Sequence, residues 1–350
     1  MSTASRRPLR AALRASALLG PVVAAACLLG AASAPADPAS APQAKPRRSA
    51  QVHAQPVDAA LPSYVRKGEV KGSIRCVGEP ATTRLLGLAG DAFRAAQGGV
   101  TVDARGESAD AGVKALVDGK ADIAAIGRRL TARERDALAA KGQVVEVAVA
   151  FEALEIVVHG KNPVTSMTMD EVAAVFAAAP KGRAAAATWK DVGATDAAFG
   201  AKALTVFGVP ADANGGGLVA VTILGGGAFR SDLRKVASSD AVVGGVASEP
   251  TGIGYIDPYF RSAPLHAIQL AASAGAAPVA CSPATVADGS YPLGRRLTVC
   301  FVRPAKDPLP AQVAEFVAFL LTKEGQTAIA EGGGMPLTAG VAGESRSALP

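Results

Sequence analysis

Residues 100–130, VTVDARGESADAGVKALVDGKADIAAIGRRL, decide the fold of this chain. The stretch opens with alternating apolar and polar residues, which is typical of a strand. After a loop of small and polar residues, Val113 and Val117 lie at helical spacing, and Gly119 ends the predicted helix. Residues 121–126 form an apolar run that predicts a second strand. The order strand, helix, strand favours an α/β fold with a parallel sheet.

Each of the two loops in this stretch follows a strand and precedes a helix. The second loop contains Gly127 and Arg128, after which Thr131 and Glu134 form a capping box that starts the next helix. In an open parallel sheet, the ligand lies in the crevice beyond the carboxyl ends of the strands. Free N–H groups at the helix starts also make such a crevice suited to an anion.

Several stretches in the same order along the chain resemble the periplasmic phosphate-binding proteins that serve ABC importers. They are SIRCVGEPATTRLLGLAGDAF, the stretch 100–130, VAFEALEIVVHGKNPVTSMTMDEVAAVFA, TGIGYIDPYF, YPLGRRLTV and LTKEGQTAIAEGGGMPL. The resemblance implies a type II periplasmic-binding-protein fold, which is α/β with two lobes joined by a two-crossing hinge. It implies capture of phosphate or a related small anion outside the cytoplasm, with ABC importer membrane subunits as partners. It further implies a monomer without a cofactor.

Composition and the resemblance together divide the chain into a signal, a tether and two lobes. Residues 1–36 have an Arg-rich start, an apolar run and small residues, which predicts an export signal and a periplasmic location. Residues 37–70 are rich in Pro and Ala without an apolar period, which predicts a disordered tether. Residues 71–152 and 251–350 are assigned to lobe 1, and residues 153–250 to lobe 2. The first crossing between the lobes is expected at 151–153.

The type of export signal stays open on the sequence alone. Ser5, Arg6 and Arg7 resemble part of a twin-arginine signal, and Cys27 is an alternative site for lipid attachment. Ala34-Pro35-Ala36 before Asp37 is the preferred cleavage site.

The net charge of the chain argues against a nucleic-acid partner. The formal net charge of +6 is carried by residues 1–70, so residues 71–350 are neutral. Without an excess of Lys and Arg in the folded part, binding to nucleic acid is not expected.

An enzymatic activity has no residues to support it. The sequence contains no Gly-x-Ser-x-Gly elbow, no Walker A loop and no Gly-x-Gly-x-x-Gly after a strand. His53, His159 and His266 are isolated from other metal-ligating residues in sequence, so a metal site is not expected.

The resemblance implies four ligand loops, and this chain departs from the family pattern in each. The candidate ligand residues are Thr82 in the first loop, Ser108 in the second, Gly127 and Arg128 in the third, and Asn214 and Gly215 in the fourth. Acidic residues also stand in these loops. If they face the crevice, they repel an anion; alternatively, they are solvated acids favoured by the helix dipole. A degenerate relative that serves as a sensor or interaction module in the envelope is therefore the rival to a transport protein.

Arg128 is the candidate on which anion binding depends most. Its guanidinium is always charged and binds an oxyanion through two parallel hydrogen bonds. The alternative is that Arg128 pairs with a neighbouring acid and supports the loop.

The cysteines allow one disulfide in an exported protein. Cys281 and Cys300 are the candidate pair, because the chain can return between them through the turn at 288–290. The alternative is that Cys76, Cys281 and Cys300 are buried thiols.

Overall fold

The computed structural model of the protein describes residues 55–210, 216–262, 264–304, 306 and 308–349. Two five-stranded sheets organise this part of the chain, and each is the centre of one lobe. The predicted two-lobed α/β fold is therefore confirmed.

The helices and strands alternate along most of the chain. In order they are β1 (Lys71–Gly78), α1 (Pro80–Gln97), β2 (Gly99–Gly106), α2 (Ala109–Val117), β3 (Ile123–Ile126), α3 (Ala132–Ala139), β4 (Gly142–Ala153), β5 (Glu155–His159), β6 (Ser166–Thr168), α4 (Met169–Phe176), α5 (Ala197–Gly200), β7 (Thr205–Gly208), α6 (Gly216–Thr222), β8 (Arg234–Lys235), α7 (Ser239–Ser248), β9 (Gly252–Ile256), β10 (Leu265–Ala267), β11 (Gln269–Ala271), α8 (Pro283–Ala287), β12 (Gly294–Pro304), α9 (Ala311–Leu320), α10 (Lys323–Glu331) and α11 (Ala339–Ser347).

The sheet of lobe 1 has the strand order β2-β1-β3-β12-β4. β1 runs parallel to β2 and β3, whereas β12 runs antiparallel to β3 and β4. All four residues of β3 are buried, because helices cover both faces of the sheet. Val113 and Leu138 from α2 and α3 pack on one face, and Leu86 and Phe93 from α1 belong to the larger core on the other. The carboxyl ends of β1, β2 and β3 consequently open on the same edge of the sheet.

The sheet of lobe 2 has the strand order β10-β5-β9-β7-β8. β4 ends at Ala153 and β5 begins at Glu155, so the chain passes from the sheet of lobe 1 to that of lobe 2 at Leu154, directly after the predicted residues 151–153. β7 and β9 are parallel, and β5 is antiparallel to β9. The carboxyl end of β9 therefore lies beside the first crossing.

The return to lobe 1 lies later in the chain than the sequence predicts. β9 and β10 pair with β5, so residues 251–267 belong to the sheet of lobe 2. The chain rejoins the sheet of lobe 1 only at β12. The assignment of 251–350 to lobe 1 is wrong over its first part, because strand pairing depends on long-range register that a local pattern does not contain.

The described part of the predicted tether, residues 55–70, is an ordered arm, so the prediction of disorder is wrong for it. Leu61 in this arm is 4% exposed. The Tyr64 ring packs edge-on against Phe319 of α9, with ring centroids 5.1 Å apart. The Tyr64 hydroxyl donates a hydrogen bond of 2.8 Å to Glu315 of the same helix. Burial of these side chains offsets the cost of ordering a segment that is otherwise poor in apolar residues.

The arm also forms hydrogen bonds with the first residues of two C-terminal helices, α10 and α11. The Asp58 carboxylate accepts a 2.8 Å hydrogen bond from the Ala339 N–H at the start of α11, and this bond lowers the pKa of Asp58. The Lys323 N–H at the start of α10 donates to the Pro62 carbonyl over 2.9 Å. Residues 37–54 lie outside the described residues.

The candidate disulfide between Cys281 and Cys300 is not formed in the structure. Cys76, Cys281 and Cys300 are free thiols. Cys300 is buried under α2 and α3 in the smaller core, whereas Cys281 packs at the edge of the larger one. Burial raises the pKa of all three thiols, so they stay protonated and unreactive near neutral pH.

Over the residues that the structure describes, no helix is both long enough and apolar enough to cross a membrane.

Candidate functional site

Three loops of lobe 1 meet at the carboxyl end of β1. The Glu79 N–H donates to the Ala125 carbonyl over 3.0 Å, and the Glu107 N–H donates to the Gly78 carbonyl over 2.6 Å. Gly78 has a φ of 149°, and a Cβ at this position would collide with the Ala125 carbonyl. A glycine is therefore needed where the strands turn into their helices. The space bounded by Glu79, Ser108 and Gly127 is called the crevice below.

Helix α1 begins directly at this crevice. Pro80 is its first residue and Glu79 is its N-cap residue, but the Glu79 side chain makes no capping hydrogen bond. The first N–H groups of a helix carry a partial positive charge and attract an anion. In this first turn the Glu79 carboxylate reaches only the Thr82 hydroxyl, over a long contact of 3.5 Å.

The Glu79 carboxylate is held by Arg295 from β12. Arg295 Nη2 forms an ion pair with Glu79 Oε1, and Arg295 Nη1 donates to the Gly127 carbonyl over 3.2 Å. A Cβ on Gly127 would collide with both the Glu79 carboxylate and the Arg295 guanidinium. Because Gly127 has no side chain, the Glu79–Arg295 ion pair has space to form beside it.

Arg295 has a second acidic partner at the first crossing. It lies opposite Glu152 in the register of β12 and β4, and its Nε donates to Glu152 Oε2 over 2.5 Å. The Glu152 side chain is 12% exposed. Burial raises the pKa of Glu152, and the guanidinium of Arg295 opposes this rise. One guanidinium thus joins the first loop, the third loop and the hinge.

A cavity of about 130 Å³ lies next to this network, between the two lobes. Its polar lining includes Arg84, Glu152 and Asp257, and Tyr259 and Gly333 form part of its wall. Asp257 follows β9 and accepts a 3.3 Å hydrogen bond from the Ser239 hydroxyl at the start of α7. Burial raises the pKa of Asp257 to about 6, with a further contribution from the negative charge of Glu152. This space is called the hinge cavity below.

The structure places the Arg128 guanidinium in ion pairs with acidic residues of α2 and α3. Its guanidinium donates to the two oxygens of Glu134 over 2.8 and 2.7 Å, and it also pairs with Asp110. The hydrogen bond from Arg128 is the main reason that the pKa of Glu134 falls to about 2. Glu134 also accepts from Thr131 in the capping box that the sequence predicts. Arg128 therefore joins α2 to α3.

The hydroxyls of the other candidate residues also bond within the protein. The Ser108 hydroxyl caps α2 by accepting from the Ala111 N–H over 3.1 Å. The Thr82 hydroxyl is buried and lies 3.5 Å from Glu79 Oε2, a long hydrogen bond. Gly127 contributes its carbonyl to Arg295. Asn214 and Gly215 lie outside the described residues, so the fourth loop is not placed.

Arg295 and Glu152 are the site residues that sequence reasoning did not single out. A signal for Glu152 exists, because it is a charged residue inside the apolar run 147–158. No such signal marks Arg295, which stands beside Arg296 in sequence, and only the pairing of β12 with β4 brings it to Glu152. Within the described residues, no group of three or more His, Cys, Asp and Glu side chains is arranged to hold a metal ion.

Comparison with known proteins places this fold in a family. Residues 49–324 match the family model described as a PBP superfamily domain. The phosphate-binding protein PstS of Pseudomonas aeruginosa is 29% identical over 290 residues, which cover 82% of this chain and 90% of that protein. Protein SphX of Synechococcus elongatus is 30% identical over 233 residues, which cover 65% of this chain and 66% of that protein.

Solved structures show the same fold at lower sequence identity. A possible phosphate-binding protein from Planctomyces limnophilus superposes with a TM-score of 0.68 at 23% identity, over 80% of this chain and 98% of that one. PstS from Borrelia burgdorferi superposes with a TM-score of 0.60 at 18% identity, over 77% of this chain and 100% of that one. Since the family model spans most of the chain and the fold agrees, this chain belongs to the PBP superfamily.

Proposed function

We propose that this protein captures phosphate or a related oxyanion outside the cytoplasm and delivers it to the membrane subunits of an ABC importer. The observation that carries the proposal is its 29% identity to a phosphate-binding protein over 90% of that protein's length. The proposal includes export through the signal at residues 1–36, action as a monomer, and binding without enzymatic turnover.

The geometry of lobe 1 supports an anionic ligand. The start of α1 faces the crevice and supplies N–H groups with a partial positive charge. Arg295 adds a guanidinium at the crevice, and its side chain is 27% exposed. Two lobes on two crossings also allow the hinge to close on a ligand.

Calorimetry of the mature protein tests the proposal. The protein is first unfolded and refolded in phosphate-free buffer, so that any bound anion is removed, and is then titrated with inorganic phosphate and, separately, with sulfate. We expect one site per chain for at least one of these anions. At a ligand concentration of a hundred times Kd, the folded state should gain about 2.7 kcal/mol, which a thermal melt detects. A refolded protein that shows neither heat nor a melting shift at about 1 mM phosphate and sulfate would contradict the proposal, since its Kd would then be weaker than about 1 mM.

A second candidate function is that of a sensor or interaction module that no longer transports an anion. The observation that favours it is that Arg128, Ser108 and Thr82 already bond within the protein. The negative charge of Glu79 at the crevice points in the same direction. A folded protein that binds neither phosphate nor sulfate in the calorimetric experiment would favour this function over transport.

A further inference from the structure

We infer that Arg295 is the guanidinium that binds the anion in the crevice, and that the Glu79 carboxylate, its partner in this structure, occupies the position that the anion takes. The incoming oxyanion would displace Glu79 from Arg295 and take over its hydrogen bonds. This inference rests on the proposed function, because it assigns the binding and specificity residues of the same site.

The two acidic partners of Arg295 are held to different degrees. Glu152 is fixed opposite Arg295 by the register of β4 and β12, and its carboxylate accepts a hydrogen bond from Arg295 Nε. Glu79 instead stands at the end of a strand, contacts Nη2, and leaves the helix start uncapped. Its further contact, with the Thr82 hydroxyl, is long at 3.5 Å. Glu79 is therefore the partner that an incoming anion can replace, and Glu152 is the one that keeps the guanidinium in position.

The position of the Glu79 carboxylate is also the position that suits an oxyanion. It lies against Gly127, whose missing side chain gives the space, and beside the start of α1. Carboxylate and phosphate are recognised by guanidinium in the same planar geometry. A phosphate at this place would gain Arg295 and, in addition, the first N–H groups of α1, which the Glu79 side chain does not use.

Competition of this kind makes Glu79 a determinant of affinity. An anion that enters without displacing the carboxylate meets a like charge in a partly buried site, where repulsion is stronger than in water. Removing the charge of Glu79 while keeping its shape should therefore strengthen anion binding. Glu107 lies near Glu79, since its N–H donates to the Gly78 carbonyl, but its side chain is exposed and makes no ion pair with a described residue. Glu107→Gln is therefore a matched control, because it removes the same charge without removing a partner of Arg295.

The test titrates inorganic phosphate into refolded wild type, Glu79→Gln, Glu107→Gln and Arg295→Lys. Arg295→Lys is preferred to Arg295→Ala, because lysine keeps a charge beside the buried Glu152 and only loses the planar fork. We expect Glu79→Gln to bind at least about tenfold more tightly than wild type, and Arg295→Lys at least about tenfold more weakly. Glu107→Gln should stay within about threefold of wild type.

Each outcome separates the inference from the proposed function. If wild type does not bind phosphate but Glu79→Gln does, the inference stands and the transport function fails. If wild type binds and Glu79→Gln binds no better, or if Glu107→Gln gains as much, the inference is overturned and the function stands. If Arg295→Lys binds as tightly as wild type, Arg295 is not the anion-binding residue. If a folded Glu79→Gln and wild type both fail to bind, both ideas are overturned.

Discussion

Replacement of Arg128 by alanine should lower the stability of the protein and leave its anion affinity nearly unchanged. The guanidinium makes two hydrogen bonds to Glu134 and pairs with Asp110. A hydrogen bond to a charged group contributes about 1.5–3 kcal/mol, but exposed ion pairs contribute about 0–1 kcal/mol. Because the Arg128 side chain is 36% exposed, we expect a loss of about 1–2 kcal/mol. In a protein of this size that loss lowers Tm by roughly 2–6 °C.

The effect of this replacement should depend on pH in a defined direction. Arg128 holds the pKa of Glu134 at about 2, below its ordinary value of 4.5. A depressed carboxylate pKa stabilises the folded state fully above the unfolded value, and this contribution disappears as the pH falls through the folded value. The gap in unfolding free energy between wild type and Arg128→Ala should therefore shrink as the pH falls from 4.5 towards 2.

Urea unfolding at neutral and acidic pH, together with phosphate titration, measures both expectations. Arg129→Ala is the matched control, since Arg129 is the exposed neighbour and makes no ion pair with a described residue. It should unfold like wild type. The reasoning is refuted if Arg128→Ala unfolds like wild type and binds phosphate at least about tenfold more weakly, because Arg128 is then a ligand residue rather than a link between α2 and α3.

Two further predictions follow from the arm and from the hinge cavity. Leu61→Ala should lower the unfolding free energy, measured in urea, by about 2–5 kcal/mol, because Leu61 is buried. The control is Lys67→Ala in the same arm, since Lys67 is exposed. Equal stability of the two variants would show that packing of the arm does not stabilise the core. Asp257→Asn should stabilise the protein by about 1–3 kcal/mol at pH 7.5, because the wild-type carboxyl has a pKa of about 6 instead of 3.8 and must ionise in a buried place. A raised carboxyl pKa lowers the stability of the wild type as the pH rises from 3.8 to about 6. The stability gained by Asp257→Asn should therefore vanish near pH 4. A variant that is less stable than wild type at both pH values would contradict the reasoning.

The fold of lobe 1 could be predicted from sequence because its information is local. The stretch 100–130 contains both strands and the intervening helix, the capping box at Thr131 follows it directly, and the structure reproduces each of these features. Hydrophobic spacing and capping act over a few residues, so they are visible in one sequence.

The arm and the site could not be predicted in the same way, because they depend on contacts between distant residues. Tyr64 is ordered by Phe319, which is far away in the sequence. Its place after a strand favours Arg128 as an anion ligand, whereas the sequence does not show that Glu134, six residues later, accepts its hydrogen bonds in the folded protein. Arg295 reaches Glu79 only because β12 lies next to β3 and β4 in the sheet. Composition and periodicity contain none of these pairings.

The balance of charge around the hinge limits which anions the protein can accept. Among the described residues, the crevice and the hinge cavity hold the carboxylates of Glu79, Glu152 and Asp257 and the guanidiniums of Arg84 and Arg295. With all five ionised, negative charge is in excess, and an oxyanion adds to it. A carboxylate that leaves or takes up a proton lowers this repulsion. The Glu79 carboxylate can move away from Arg295, because it stands at the start of a helix beside solvent. Asp257 can instead take up a proton, because its pKa is about 6. Since a second negative charge on the ligand adds to the repulsion from these carboxylates, the site should favour singly charged over doubly charged oxyanions.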